Sequence, residues 1–329
     1  MAKTVYAPNE WRFGVAAETN LGTGITSNIQ LLNINDFVTV STAVAESTDV
    51  RSGVGRTVKE LDHFIDYKGG AVSTITASIV MDTTVDALLH NNATGTDVDT
   101  SPASYDIAFD YAPTAIANGG AAGAAGGLTV ALISPQSSET RYFVGCQLTE
   151  MTVTMDAATE GGRRQANLTF TTAYAPVFGT TAPSVVAYGT TYRYLRDYAA
   201  VKTIAGTEVI LNKVEYTIAN NATYTGFQGA SGNPEYMQRA IPSADVSLML
   251  GVLYDEDTAN YWEQHLSGTT QAIVISDNAT WASATFGIKA DDCKFNAEVQ
   301  PAGTDAGVFQ DLSFMCTASG SGSVIEIVP

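Results

Sequence analysis

A chain of 329 residues with 45% hydrophobic positions, 29 Gly and only 15% charged side chains is globular, since a disordered chain trades apolar residues for charge. Its 16 Lys and Arg against 34 Asp and Glu leave a net charge of −18, which excludes a sequence-independent grip on nucleic-acid phosphates. The length favours two domains, and with neither a long apolar run nor an apolar secretory stretch near Met1, the expectation is a chain without a membrane span, made and kept in a cytosol.

The first half opens on the strand-like Leu31–Phe37. Thr42–Gly70 follows, with Arg51, Arg56, Lys59, Glu60, Asp62, Asp66 and Lys68, and reads as a long charged loop between two strands. Ile75, Ala77, Ile79 and Met81 then alternate with Thr74, Thr76 and Ser78, the period of a strand with one face on a core. Asp82–Asn92 predicts a short helix on the stripe Val85, Leu88 and Leu89, closing at Gly95. An insertion, Thr96–Gly127, carries a strand at Tyr105–Tyr111 and the Gly/Ala tract Asn118–Gly127. That tract lacks the Lys-Ser/Thr ending of a phosphate-binding loop and predicts a mobile surface loop. Met151, Val153 and Met155 alternate with Thr152, Thr154 and Asp156, and Leu168 and Phe170 with Asn167, Thr169 and Thr171.

Tyr174–Glu208 is punctuated by Pro, Gly and Thr and holds the cluster Tyr192, Arg193, Tyr194, Arg196 and Tyr198. The interdomain connection is set within it at 176–208, leaving domains at 1–175 and 209–329. The second half repeats the pattern. A loop at Asn220–Pro242, with Glu235 and Arg239, precedes the alternation of Val246, Leu248 and Leu250 with Asp245 and Ser247. A helix at Asp255–Leu266, with Thr258, Tyr261 and Trp262 on one stripe, ends at Gly268. A turn at Asp291 and Asp292 leads into Cys293–Val299, whose other face is Lys294, Asn296 and Glu298; Asp311 and Ser313 lie on the last alternating run.

Four landmarks recur in the same order: Leu31–Phe37 with Ile210–Tyr216, the strand-helix unit in each half, Phe143–Cys146 with Phe286–Lys289, and Gln165–Ala173 with Gln310–Ala318. Four collinear matches predict an internal duplication, the first copy carrying the longer loops.

No chemistry converges. His63, His90 and His265 belong to no catalytic or metal spacing, so neither an enzyme nor a cofactor is expected. Asp97/Asp99 and Asp255/Asp257 lack the Gly and distal Glu of a calcium loop and suit helix starts and loops. Cys146, Cys293 and Cys316 sit in apolar runs and read as buried free thiols. The Tyr/Arg cluster reads as an interdomain patch, with base stacking as the alternative use. Trp11, Trp262 and Trp281 leave a glycan-binding tandem β module as a competing function.

The duplicated pattern of strand, long loop, strand, helix and strand pair, together with the opening Glu10–Thr19 (EWRFGVAAET), resembles the tail tube proteins of long-tailed bacteriophages, in particular the double-length kind. The resemblance spans nearly the whole chain. It implies two tandem β-sandwich or barrel domains, each with a helix and a long loop, and trimeric rings that stack into a conduit for DNA in the virion tail. Another tail or baseplate component built from the same domain is the nearer alternative. The implied partners are copies of the chain itself, a tape measure protein in the lumen, tail tip and terminator proteins, and double-stranded DNA in transit. The implied lumen-facing positions are Thr74, Thr76, Ser78, Thr152, Thr154, Asp156, Asp245, Ser247, Asn296, Glu298, Asp311 and Ser313. The implied ring-stacking positions are Arg51, Arg56, Lys59, Glu60, Asp62, Asp66, Glu235 and Arg239.

Overall fold

The computed structural model describes residues 10–18, 22, 24–50, 64–94, 97–100, 103–108, 127–136, 139–174, 176–179, 182–221, 223–225, 238–240, 245–253, 261–296, 309–317 and 323–329. The fold is mainly β with two short helices. The first half holds β1 (Arg12–Ala17), β2 (Ile29–Leu31), β3 (Asn33–Val50), β4 (Phe64–Val80), α1 (Thr83–Thr94), β5 (Asp97–Thr100), β6 (Ala103–Ala108), β7 (Leu128–Ile133), β8 (Arg141–Asp156) and β9 (Gln165–Thr172). The connection holds β10 (Val177–Phe178) and β11 (Val185–Val186). The second half holds β12 (Val201–Ile204), β13 (Thr207–Glu208), β14 (Leu211–Ala219), β15 (Thr223–Thr225), β16 (Gln238–Ala240), β17 (Asp245–Leu253), α2 (Tyr261–Ser267), β18 (Gln271–Ser276), β19 (Gly287–Phe295), β20 (Phe309–Thr317) and β21 (Ser323–Val328).

Antiparallel ladders join these strands into one run, β3-β4-β9-β8-β14-β17-β20-β19-β18-β12. The N-terminal half of β8 leaves that run and joins a second layer with β10, β7, β1, β2 and β11. The inward residues of the long run alternate with polar ones and form the main core, in which Ile75, Val153 and Phe170 pack together with Tyr216, Leu248 and Phe314; the second layer adds Phe13, Val15 and Val130 to it and holds a smaller cluster of Ile29, Leu31, Ile133 and Tyr142 on its other face.

The order of strand pairing repeats between the two halves. The order β3-β4-β9-β8 recurs as β14-β17-β20-β19, and β8 pairs with β14 to join the two modules. The irregularities match as well: Leu128 opposes Cys146 and Val130 opposes Phe143, while Gln271 opposes Cys293 and Ile273 opposes Ala290. This shared bulge equates Phe143 with Ala290 and Cys146 with Cys293. The pairing of Phe143 with Phe286 expected from the sequence is therefore shifted, because an aromatic match was given weight that the bulge geometry holds.

Several loop expectations become strands. β3 and β4 continue as a hairpin through much of Thr42–Gly70, from Ala43 opposite Val72 to Val50 opposite Phe64. Charged residues interrupt the apolar alternation there and hid it, though Glu46 and Lys68 hold opposed positions in the register. Asn220–Pro242 likewise contains the β15–β16 hairpin. Asp291 and Asp292 are not a turn but part of β19. The strand expected at Tyr105–Tyr111 is β6, and it pairs with β21. The Gly/Ala tract up to 126, Asp255 and Asp257 lie outside the described residues, and Asp97 and Asp99 are placed by backbone alone on β5.

Helix α1 begins where Asp82 Oδ1 accepts the Thr84 N–H at 2.9 Å, satisfying one of the orphan donors of its first turn. Its apolar stripe, Val85, Leu89 and Ala93, is buried. Helix α2 covers the last part of the stretch expected to be helical.

Candidate assembly surface

One face of the long sheet turns away from the core, and hydroxyls, amides and acids dominate it. Period-2 alternation sends Thr74, Thr76 and Ser78 to this face of β4, Thr152, Thr154 and Asp156 to that of β8, Asp245 and Ser247 to that of β17, and Asp311 and Ser313 to that of β20, each opposite the buried residues between them. Asn296 follows β19 and donates its backbone N–H to Ser313 at 2.8 Å. Ser78 is buried; Asp245, Asn296 and Asp311 are exposed; the remainder are half-buried. Glu298 lies outside the described residues.

Register strings these side chains into rows across strands. Ser78 opposes Asn167, Asn167 opposes Thr152, Thr152 opposes Thr217, and Thr217 opposes Ser247. The Thr152 and Thr217 hydroxyls meet at 2.9 Å, and Thr154 donates to Glu215 at 3.2 Å. The row thus crosses the joint between modules without a break. Glu150, Asp156, Glu215, Asp245 and Asp311 share this face with Lys213 and Lys294, and the Lys213 ammonium is paired with Glu215 at 3.3 Å.

One end of the run is open among the described residues: β3 pairs with β4 alone, so its other edge has no strand on it. At the other end β13 covers β12, but within the run β18 pairs with β19 only as far as Cys293, while the ladder to β20 continues to Phe295. Beside the β3 edge lies a groove of about 860 Å³ lined by Trp11, Ile34, Phe37, Arg141 and Tyr188 among others, and Ile34, Phe37 and Tyr188 are exposed.

Of the candidate stacking residues, Arg51, Arg56, Lys59, Glu60, Asp62 and Glu235 lie outside the described residues. Asp66 on β4 and Arg239 on β16 are placed by backbone alone, opposite Thr48 and Tyr224.

Behind the sheet, at the junction of the two halves, is a buried polar cluster that the sequence reading did not assemble. Arg164 donates to the Asp86 carboxylate and, at 2.6 Å, to the Tyr216 hydroxyl, which is hydrogen-bonded to His90 Nε2 at 2.8 Å. His90 Nδ1 lies 2.9 Å from both the Asp86 carbonyl oxygen and the Asp86 carboxylate, two acceptors that place a proton on that nitrogen. Burial alone would push the Asp86 carboxyl up, but the Arg164 charge and the His90 hydrogen bond hold it below its ordinary value. Burial pushes the Tyr216 hydroxyl up to about 12 against the pull of Arg164. The guanidinium also lies over the Phe286 ring, 5.4 Å from its centroid. Asp86 and His90 stand four apart on the stripe of α1 that carries Leu89, and polar residues at core spacing are the signal that was legible.

The Tyr/Arg cluster packs against the same ring. Tyr198 stacks on Phe286 with centroids 4.4 Å apart, Arg193 approaches it to 5.1 Å, and Tyr192 and Tyr194 bridge to Asp82 and Arg163. Trp281 donates its indole N–H to Glu326 at 2.8 Å, and the Trp262 side chain lies outside the description. His265 meets Phe295 edge-on, and His63 lies outside the described residues. No helix of the described residues is long and apolar enough to cross a membrane, and no group of three metal-ligating side chains gathers among them. No known family model and no curated protein matches this chain.

Proposed function

We propose that the chain is a structural subunit that joins copies of itself into a ring, and that the rings stack into a tube like those of bacteriophage tails, through which DNA passes without being held. The observation that carries this reading is the β8–β14 joint. There the first strand of one module pairs with the long strand of the other, from Lys213 opposite Asp156 to Ala219 opposite Glu150.

By the internal repeat, the open edge of β3 is the surface that β14 offers to β8, and the open end of β19 corresponds to the part of β8 that receives it. A second copy can therefore add by repeating a contact already made within the chain. Such a head-to-tail contact makes a ring when its rotation closes, and closure removes the sheet edges that would otherwise aggregate. Two modules per chain make a trimer pseudo-sixfold, with 1–175 and 209–329 as tandem β-sandwich modules joined by 176–208. Eight strands from each of three chains, at about 4.8 Å each, give a circumference of about 115 Å and a diameter of roughly 37 Å before strand tilt widens it.

With the hydroxyl face inward, such a ring admits a duplex. The β3–β4 and β15–β16 hairpins are the elements that reach the next ring. The remaining partners are a tape measure protein in the lumen and tip and terminator proteins at the ends, in a virion tail assembled in the host cytoplasm. Electron microscopy and sedimentation of the purified chain test the reading: rings or tubes with an open lumen are expected, and a chain that stays monomeric at high concentration and in the presence of tail components refutes it.

A further inference from the structure

We propose that Cys293 and Cys316 form a cross-strand dithiol site that a hydroperoxide oxidises to a disulfide, stapling β19 to β20. The two residues oppose each other directly in the ladder, between the pairs Asp292–Thr317 and Lys294–Met315. Their sulfurs are 3.6 Å apart, with the Cys293 thiol donating to Cys316. Directly opposed residues of an antiparallel pair have Cα atoms about 4.5–5.5 Å apart, which lies inside the roughly 4.4–6.8 Å span of disulfides. Closing the sulfurs to a bond of about 2.05 Å is then a matter of side-chain torsions rather than backbone movement.

The repeat supplies an internal contrast. Cys146 occupies the position of Cys293 in the first module, and continuing the β8–β9 register brings Thr172 to the position of Cys316. There the Cys146 thiol is turned to the Phe143 carbonyl at 3.3 Å, and the Thr172 hydroxyl donates to the Val144 carbonyl. One module thus has a solitary thiol and the other a touching pair, in matched settings.

Both sulfurs face the core, so reaction depends on local opening. The β19–β20 ladder is short, running from Asp292–Thr317 to Phe295–Phe314, and β18 leaves β19 at Cys293. A brief ladder, four pairs long, is the kind of element that opens below the free energy of global unfolding. The Cys293 thiol is the donor of the hydrogen bond and Cys316 the acceptor, which assigns Cys316 as the attacking sulfur. The Cys293 thiol is held above its ordinary value by that bond and by burial, which keeps its proton in place until the second step.

The chemistry balances with one hydroperoxide. The Cys316 thiolate attacks the peroxide oxygen and breaks the O–O bond, giving a sulfenic acid and, for hydrogen peroxide, one water. Cys293 then attacks that sulfur as its proton leaves with the departing hydroxide as a second water. The two sulfurs lose two electrons in total and the peroxide gains them.

The test uses the purified full-length chain exposed to hydrogen peroxide, then unfolded, alkylated and digested for mass spectrometry. A peptide pair linking Cys293 to Cys316 is expected, with Cys146 alkylated as in the untreated protein. The oxidised chain should also unfold at higher urea than the reduced one, and this rise should vanish in Cys316→Ser, whose Cys293 stays free to alkylation. Three alkylated cysteines after treatment, Cys316 carried on to sulfinic or sulfonic acid in place of the link, or a link between chains instead of within one, overturns the proposal.

Discussion

Arg164→Met is expected to destabilise the fold by about 4 kcal/mol at neutral pH, far more than a typical surface change. The side chains of Arg164 and Asp86 are 1% and 4% exposed, so the variant strands a carboxylate where water cannot reach it. Removing one partner of a buried ion pair costs about 3–5 kcal/mol. An independent route gives the same size. A buried carboxyl without its counter-ion protonates, and holding it neutral at pH 7 against an ordinary value of 3.8 costs about 1.4 kcal/mol for each unit between, or about 4 kcal/mol. The second route adds a pH signature. The deficit of the variant should shrink by about 1.4 kcal/mol for each unit of acidification from pH 7 towards pH 5. Urea unfolding of both proteins at several pH values, at one fixed concentration, measures it. The double variant Arg164→Met with Asp86→Leu should recover part of the loss, because an apolar pair of similar volume leaves no charge stranded. A deficit below about 1 kcal/mol, or one that does not change with pH, refutes the account of the cluster as a buried charge pair.

The alkaline limit of stability should carry the mark of Tyr216. Its folded value of about 12 exceeds its ordinary 10.0, so the hydroxyl contributes about 3 kcal/mol below pH 10 that is lost as the pH rises towards 12. Tyr216→Phe should flatten that limb of the urea midpoint against pH, and an unchanged limb sinks the assignment. Asp86 acts in the opposite direction, its folded value being lowered: its contribution is present above pH 3.8 and disappears as the pH falls through the folded value. Gly189→Ala should cost about 1–3 kcal/mol, since a Cβ there would stand 2.1 Å from Asp82 Oδ1 at the start of α1; unaltered thermal unfolding would count against this contact. Thr152→Lys and Thr217→Lys should cost no more than about 1 kcal/mol, the worth of the hydroxyl pair they break, yet make assembled tubes retain DNA at low salt and release it at high salt. Retention that ignores salt, or no retention at all, speaks against this face as the wall.

Alternation carried most of what was legible. Wherever one face of a strand is buried, as for Ile75 to Ile79 or Val246 to Leu250, period 2 is strong and the strand is readable. The hairpin extensions of β3 and β4 were hidden because charged residues interrupt the apolar alternation. The face residues were legible as a group for the same reason that the core was, being its alternate positions. Their rows were not, because register between distant strands such as β8 and β14 is set by tertiary pairing. Beyond the local pair Asp86 and His90, the Arg164 cluster joins residues 52 to 126 positions apart, and the Cys293–Cys316 contact depends on a ladder whose register no local pattern states.

The distribution of charge, rather than its sum, bears on passage of a polyanion. On the hydroxyl face Glu150, Asp156, Glu215, Asp245 and Asp311 outnumber Lys213 and Lys294, and Lys213 is engaged with Glu215. A wall with free lysines would gain affinity through release of counter-ions at every phosphate contact, and DNA would stick to it. Threonine and serine hydroxyls make no such gain, since each hydrogen bond to phosphate replaces one to water and nets only about 0.5–1.5 kcal/mol. The acids act over a screening length of about 8–10 Å, so in the proposed tube they would keep a duplex from resting on the wall without opposing its movement along the axis. The hydroxyl row continues across the β8–β14 joint as far as Ser247, beyond which it meets Met315 and Lys294, so in the proposed tube the wall would present its hydroxyl stretch at the joint between modules.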